Sequence, residues 1–204
     1  MRPPLPRLHA ITDERVARRP DLTSVAGQIA TGGGENLAFH ARGHALSGLE
    51  HHELAVQLSA FPPVRLFVND RLDVALACDA VGVQLGASSL APADARRLGA
   101  QWWIGRSVHD LVEANAARIA GADYLVLGPV YATASHPGRT PVSSKVLDKV
   151  VALGLPVIAI GGVEPDRVAP LAAAGVYGVA AIRALWDAAR PDVASRLLLQ
   201  ELTQ

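Results

Sequence analysis

The sequence predicts one α/β domain in which eight parallel strands and eight helices close into a (β/α)8 TIM barrel. Short apolar runs alternate with helical patterns along the whole 204-residue chain. One strand and one helix recur about every 25 residues, which is typical of parallel sheets with crossover helices. Half of the residues are hydrophobic, which suits a single compact domain over residues 1–204.

The predicted strands are short apolar runs bounded by turn residues. They cover residues 8–12, 37–40, 64–68, 82–85, 102–107, 124–127, 157–160 and 178–182.

The predicted helices follow the strands and carry start and stop signals. Asp21, Pro92 and Asp166 favour helix starts, whereas Gly99 and Gly121 favour helix ends. The ranges are 21–31, 46–60, 71–78, 92–98, 110–121, 143–153, 166–175 and 184–202. An open doubly wound sheet is the alternative. It normally carries a glycine-rich turn after its first strand, where this chain has Thr12-Asp13-Glu14.

Charge and composition exclude several classes of partner. Lysine plus arginine number 19 and aspartate plus glutamate number 19, so the chain carries no net charge. A neutral chain without a basic cluster is not expected to bind nucleic acid or a membrane surface. No apolar run approaches the ~18 residues of a membrane span, and we expect a cytoplasmic protein. The single cysteine, Cys78, is predicted to be a buried thiol.

Candidate functional residues follow the predicted strands, because barrel enzymes hold their chemistry at the strand C-termini. Gly161-Gly162 and Ile182-Arg183 end the last two strands and predict a phosphate cradle of backbone N–H groups and one guanidinium. A tight strand–helix turn is the alternative explanation of the two glycines.

Histidine and arginine residues stand at three further strand ends. His40 and Arg42 follow strand two on the face opposite Phe39, and Ser107 and His109 end strand five. His40 and Arg42 could hold an anion at the barrel mouth, with a merely polar barrel top as the alternative. His109 is a candidate acid or base near neutral pH, with a helix cap by Asp110 or Ser107 and simple packing of His109 as the alternative. The long loop 128–141 adds Thr133, Ser135, His136 and Arg139. His44, His51 and His52 are expected to face solvent and not to bind zinc.

The segments 8–13, 68–86, 105–109, 122–133 and 157–162 resemble, in order, those of the thiamine phosphate synthase/TenI family. Val68-Asn69-Asp70-Arg71 with Gly82-Val83-Gln84-Leu85-Gly86 carries the resemblance furthest. It implies a (β/α)8 barrel. Synthases of this family join hydroxymethylpyrimidine diphosphate to thiazole phosphate with Mg²⁺ through a dissociative, carbocation-like step. The TenI branch shares the thiazole-phosphate pocket and isomerises a thiazole tautomer.

The resemblance implies roles for individual residues. Asp70 would serve Mg²⁺, and Asn69 and Arg71 would bind the pyrimidine diphosphate. The other matching positions are Ser107 and His109 of the Gly-x-Ser-x-His motif, the loop hydroxyls Thr133 and Ser135, and the phosphate cradle Gly161, Gly162, Ile182 and Arg183.

Departures from the synthase pattern favour the TenI branch. A synthase reads Gln-x-Arg-x-Lys in strand two, against Ala38 to Arg42 here, which puts Arg42 at the lysine. The second metal aspartate is replaced within Ala87-Ser88-Ser89, the loop lysine by His136, and the strand-eight serine by Arg183. Losing these contacts, at ~1–3 kcal/mol each, would weaken a Mg²⁺–diphosphate site.

We therefore predict a TenI-like thiazole-phosphate enzyme that needs no metal. Pro129 stands where that branch often has histidine, so His136 or His40 would transfer the proton. A Mg²⁺-dependent synthase is the first alternative, and a non-catalytic barrel that binds thiazole phosphate or thiamine phosphate is the second. A phosphate-binding barrel of tryptophan biosynthesis is more distant, because it gives Asn69 to Arg71 no role. Homo-oligomerisation stays open.

Overall fold

The computed structural model describes residues 2–133, 138 and 140–202, and its strands form a closed parallel barrel. The strands are β1 (Leu8–Ile11), β2 (Leu37–Ala41), β3 (Arg65–Asn69), β4 (Gly82–Leu85), β5 (Trp103–Val108), β6 (Tyr124–Leu127), β7 (Val157–Ile160) and β8 (Gly178–Ala181). Each strand pairs with the next, and β8 pairs with β1. The predicted fold class is confirmed, and every predicted strand boundary lies within one residue of the observed one.

Helices cover the outside of the barrel. Within the described residues they are α1 (Glu14–Ala17), α2 (Leu22–Gly33), α3 (Gly48–Ser59), α4 (Leu72–Ala77), α5 (Pro92–Leu98), α6 (Leu111–Ile119), α7 (Ser144–Val151), α8 (Val168–Ala173), α9 (Arg183–Trp186) and α10 (Pro191–Gln200). The prediction of one helix over 184–202 is wrong. Pro191 lacks an N–H and its ring would clash inside a helix, so α9 ends before it and α10 begins with it.

The apolar core has two parts, one on each side of the strands. Phe39 on β2 points outward, and its ring centroid lies 5.8 Å from that of Trp186. The next residue, His40, points into the barrel and stacks on Phe67 at 5.1 Å. The inner cluster is small and apolar, with Leu5, Ile11, Ala38, Phe67, Tyr124, Val126, Ile158 and Ala180. The predicted alternation on β2 is therefore confirmed.

Helices α2 and α10, together with residues around α1 and α9, close the seam between β8 and β1. A Cβ atom on Gly32 of α2 would lie 2.7 Å from the Ser195 Cβ of α10, so glycine permits this close packing. Arg19 donates to the Trp186 carbonyl at 2.6 Å, and Arg15 pairs with Asp187 at 2.8 Å. These contacts hold the residues after β8 against those after β1.

Two predictions about burial are wrong. Cys78 is half-buried, because α4 ends at Ala77 and leaves Cys78 at its C-terminal cap. Burial still raises the pKa of its thiol, which argues against a nucleophile. His51 does not face solvent, since it lies on the inner side of α3 with Nε2 2.9 Å from the Ala41 carbonyl oxygen. No helix within the described ranges is long and apolar enough to cross a membrane.

Candidate active site at the C-terminal ends of the strands

A cavity of about 200 Å³ opens at the C-terminal ends of the strands. Every strand contributes a residue to its wall, either from its last positions or from the residues that follow it. Seven residues predicted for the site line this cavity: Arg42, Asn69, Ser107, His109, Thr133, Gly161 and Ile182. The remaining wall includes Ile11, Val126 and Ile160, so a ligand would meet polar groups on one side and apolar groups on the other.

Two carboxamides and a hydroxyl form the polar floor of the cavity. Asn69 on β3 and Gln84 on β4 are paired in register, and Gln84 Nε2 donates to Ser107 Oγ at 2.9 Å. Gln84 is 1% exposed, and its Oε1 has no hydrogen-bond partner among the described residues. Sequence reasoning placed Gln84 at the end of strand four but assigned it no role. A glutamine inside an otherwise apolar strand was the available signal, since a buried polar group needs a partner.

His40 does not reach the cavity. It is completely buried behind Asn69, with Nδ1 3.1 Å from the Asn69 side-chain oxygen and Nε2 2.7 Å from His9 Nδ1. Burial, together with the charges of His9 and Arg42, lowers the pKa of His40 well below its usual range. Because its ring is enclosed by protein, the structure does not support His40 as the acid or base that touches a substrate.

Asp70 and Arg71 follow Asn69 but turn away from the cavity floor. Asp70 has a left-handed backbone (φ 61°), and its Oδ1 accepts from the Gly86 N–H at 2.8 Å and from the Ser89 hydroxyl. Arg71 makes two bonds to Asp73, at 2.8 and 2.5 Å, and does not line the cavity. These bonds from Arg71 lower the pKa of Asp73 to about 2. Arg71 is therefore engaged on the surface, whereas Asp70 is exposed at the rim.

Arg42 is held at the cavity wall by its own backbone. Its N–H donates to Thr12 Oγ1 and its carbonyl accepts from the same hydroxyl, both at 2.8 Å. Its guanidinium Nη2 lies 2.6 Å from His44 Nε2. Since a guanidinium only donates, this His44 nitrogen is the acceptor and carries no proton. Arg42 thus provides a permanent positive charge at the mouth of the cavity.

His109 is positioned by the start of α6. Asp110 caps this helix by accepting from the Glu113 N–H at 2.8 Å, and Glu113 accepts from both the His109 N–H and Nδ1, at 2.8 and 2.9 Å. With Nδ1–H donated to Glu113, the Nε2 atom of a neutral His109 is an acceptor.

The two predicted phosphate loops lie beside this cavity. Gly161 and Gly162 both have positive φ, 98° and 63°, and a Cβ on Gly161 would lie 2.6 Å from Pro129 Cβ. Gly162 and Arg183 line an adjoining cavity of about 180 Å³, and Thr133 lines both cavities. Among the described residues, no acceptor pairs with the Gly162 N–H. Glycine is thus required where the backbone turns sharply, and an N–H is left to bind an anion.

Two further predicted residues, Ser135 and His136, lie outside the described residues. No cluster of three or more histidine, cysteine, aspartate or glutamate side chains capable of holding a metal is found in the described part of the chain. Asp70 is therefore the carboxylate to test against Mg²⁺. Its Oδ2 has no protein partner among the described residues, and Ser89 adds a hydroxyl oxygen.

This donor set fits Mg²⁺ only in part. Mg²⁺ is commonly held by one or two carboxylates while substrate phosphates and waters complete its shell. Asp70 with Ser89 satisfies that minimum but does not form a cage of protein ligands. A cation would bind here together with a phosphorylated substrate.

The family model, the relatives of similar sequence and one solved structure indicate the same family. The sequence model described as thiamine monophosphate synthase (TMP-TENI) matches residues 8–185. The chain is 40% identical over 205 residues to a thiamine-phosphate synthase of Salinispora tropica, covering 98% of each. It is 35% identical to that of Chlorobium phaeobacteroides, covering 99% of this chain and 98% of the relative.

Two further similar proteins are a relative much longer than this chain and a protein of known structure. The bifunctional protein ThiM/ThiE of Symbiobacterium thermophilum is 49% identical over 140 residues, which span 67% of this chain but 29% of that protein. The structure of a thiamine phosphate pyrophosphorylase from Pyrococcus furiosus superposes with a TM-score of 0.82 at 30% identity, over 96% of this chain and 95% of that one.

Proposed function

Since the chain belongs to the thiamine monophosphate synthase/TenI family and is an enzyme of thiamine biosynthesis, we propose that it is a thiamine phosphate synthase. It would join hydroxymethylpyrimidine diphosphate to thiazole phosphate and release diphosphate. The observation that favours the synthase reaction over the tautomerase reaction is the position of Asp70. A carboxylate fixed in a left-handed turn at the end of β3, with one oxygen free of protein partners among the described residues, is suited to a diphosphate-bound cation.

The polar floor suits the pyrimidine ring. An aminopyrimidine carries both donors and acceptors on its edge, and Asn69, Gln84 and Ser107 offer both kinds of group within one wall. The apolar residues opposite, Ile11 and Val126 among them, cover the faces of a flat ring. This enclosure excludes water, which would otherwise capture a carbocation-like centre as soon as diphosphate leaves.

The two phosphorylated ends would bind on different sides of this ring. Arg42 at the cavity mouth attracts the diphosphate, and Gly161, Gly162 and Arg183 hold the single phosphate of the thiazole. Bound Mg²⁺ supplies neutralisation of the negative charge that builds up on the leaving diphosphate. Asp70 and Ser89 are the residues that would hold it. Fixing both substrates in one orientation is itself a large part of catalysis.

One departure from the synthase pattern disappears in a different register. Aligning Arg42 with the arginine of Gln-x-Arg-x-Lys puts His40 at the glutamine and His44 at the lysine, with the same spacing. In this register the permanent cation is kept, and the contact between Arg42 and His44 joins the two positions that the pattern makes basic. The departures that remain are Ser89, the loop residue His136, and Arg183 in place of the strand-eight serine.

The TenI-type tautomerase is the second candidate function. The observation in its favour is that Ser89 hydrogen-bonds Asp70 from the segment where a synthase has its second metal aspartate. A tautomerase would use the same phosphate cradle and would need an acid or base on the thiazole ring. His109 lines the cavity and is a further candidate for that role, beside His136.

The test is to incubate the purified protein with both substrates, with and without Mg²⁺, and to measure thiamine phosphate and diphosphate. The proposal predicts equal amounts of both products, formed only with Mg²⁺. Isomerisation of the thiazole tautomer without condensation would support the second candidate and contradict the first. Binding of thiazole phosphate or thiamine phosphate without turnover in either assay would indicate a non-catalytic binding protein.

A further inference from the structure

Two buried histidines stand in line behind the cavity. His9 Nε2 lies 3.0 Å from the Pro6 carbonyl oxygen, His9 Nδ1 lies 2.7 Å from His40 Nε2, and His40 Nδ1 lies 3.1 Å from Asn69 Oδ1. The line begins at the backbone before β1 and ends at a residue of the cavity wall. We propose that His9 and His40 are positioning residues that hold the Asn69 carboxamide with its NH₂ group toward His40 and its carbonyl oxygen toward the ligand. This is the amide orientation in the structure turned by 180°, which exchanges two groups of nearly the same shape.

Counting the protons on the ring nitrogens shows which atom donates in each hydrogen bond between Pro6 and Asn69. The Pro6 carbonyl only accepts, so His9 Nε2 carries a proton. In a neutral His9 the Nδ1 atom is then an acceptor, and His40 donates to it from Nε2. In a neutral His40 the Nδ1 atom is in turn an acceptor, so Asn69 must donate to it through its NH₂ group.

The opposite arrangement requires a charge. With the Asn69 oxygen toward His40, as the structure places it, three donated protons would be needed on the four ring nitrogens, and one ring would be an imidazolium. Both histidines are at most 1% exposed, and no carboxylate bonds to either ring within the described residues. Burial lowers the pKa of His9 to about 4. A cation at this place is therefore strongly disfavoured at neutral pH.

The rings themselves are held by packing. His40 stacks on Phe67 at 5.1 Å, and His9 lies 5.9 Å from Tyr124, which closes the other side of the pair. Because both rings are buried and packed against aromatic neighbours, the direction of hydrogen bonding that begins at Pro6 continues to Asn69. The NH₂ end is occupied by His40, and the carbonyl end is left for the cavity.

A ligand with an N–H donor at this wall is selected over one with an acceptor. The choice of ligand rests on the proposed function, because the exocyclic amino group of an aminopyrimidine is such a donor. The direction of the hydrogen-bond line does not rest on it. The site would discriminate against a hydroxypyrimidine analogue whose ring presents an acceptor there.

The first measurement is the nitrogen NMR spectrum of the histidine rings in the unmodified protein. The proposal expects the proton on Nε2 of both His9 and His40 and none on either Nδ1. A proton on His40 Nδ1 would overturn it. The Asn69→Asp variant provides a second readout, because a carboxylate only accepts and so requires a proton on His40 Nδ1. Tyr124→Phe, in the same buried layer, should leave all four signals unchanged.

The second measurement is the KM for each substrate in His9→Leu. Without His9, the His40 ring is free to place its proton on Nδ1, and the Asn69 carboxamide turns round. The KM for hydroxymethylpyrimidine diphosphate should rise about 5- to 30-fold, as for one lost hydrogen bond, while that for thiazole phosphate is unchanged. An unchanged KM for both in a folded variant would contradict the proposal. If no thiamine phosphate forms at all, the proposed function fails, whereas the NMR result still decides the direction of the line.

Discussion

Replacing Asp70 by asparagine separates its role in function from its role in the fold. Asp70 is one of two non-glycine residues with positive φ among the described residues, at 61°, and asparagine tolerates this conformation as well as aspartate does. Asparagine also keeps an oxygen for the Gly86 N–H, which donates to Oδ1 at 2.8 Å. We therefore expect the free energy of unfolding to change by less than ~1 kcal/mol.

The cost to catalysis should be much larger. The variant loses the negative oxygen that would contact the cation, and a contact with a charged group contributes ~1.5–3 kcal/mol. That corresponds to a fall in kcat/KM of about 10- to 150-fold, with a higher Mg²⁺ concentration needed for half-maximal rate. The assay is thiamine phosphate formation across a Mg²⁺ titration, with urea unfolding of the same samples.

Asp79→Asn is the matched control for Asp70→Asn. Asp79 is the other non-glycine residue with positive φ (49°) in the described part, and it precedes β4, at the opposite end of the barrel from the cavity. The chemical change, the charge change and the backbone conformation are the same in both variants. If Asp79→Asn lowered kcat/KM as much as Asp70→Asn, or if Asp70→Asn kept its rate and Mg²⁺ dependence within about threefold, the role given to Asp70 would be wrong.

Three other predictions concern the phosphate cradle, acid stability and the metal site. Gly161→Ala should raise the KM for thiazole phosphate about 10-fold or more, because its Cβ would meet Pro129, whereas Gly154→Ala, also at positive φ but in open space, should only lower the unfolding midpoint. The free energy of unfolding should fall as pH drops from 6.5 to 4, by up to ~1.4 kcal/mol per pH unit from His9 alone. The reason is that His9 binds a proton in the unfolded chain but stays neutral in the folded one over this range. Urea unfolding that gives the same free energy at every pH in this range would contradict the burial of neutral His9. Ser89→Asp should lower the Mg²⁺ concentration for half-maximal rate about 10-fold by adding a second carboxylate, and an unchanged titration would mean that Ser89 lies outside the metal site.

The barrel could be predicted from the sequence because its signals are local and repeated. Each strand is a short apolar run, and the parallel arrangement follows from the helix between each pair of runs. The helix predicted over 184–202 failed on one residue, Pro191, although its effect on helices is well understood. Apolar residues a few positions away on both sides, Leu185 and Trp186 before it and Val193 after it, continued the helical pattern and obscured the break.

The site was predicted well where a residue ends a strand and poorly where its partner is distant in sequence. Ser107 lines the cavity as expected, since alternation along β5 decides its direction. His40 was assigned the correct face of β2, but only its contact with His9, 31 positions earlier, shows that it is enclosed. Arg71 was expected at a substrate, and its contact with Asp73 was overlooked. Such pairings depend on rotamers, which a sequence pattern does not specify.

The pairing of β1 with β8 has a consequence for how the chain is made. Leu8 pairs with Val179, about 170 residues later, so the first strand has one unpaired edge until the last strand leaves the ribosome. At ~5–20 residues per second this interval lasts roughly 10 to 35 s. The phosphate loops after β7 and β8 also form at the end of synthesis, and no phosphorylated ligand can stabilise the nascent chain before then. During translation, the unpaired edge of β1 is therefore a site where chaperones can bind or where other chains can pair wrongly.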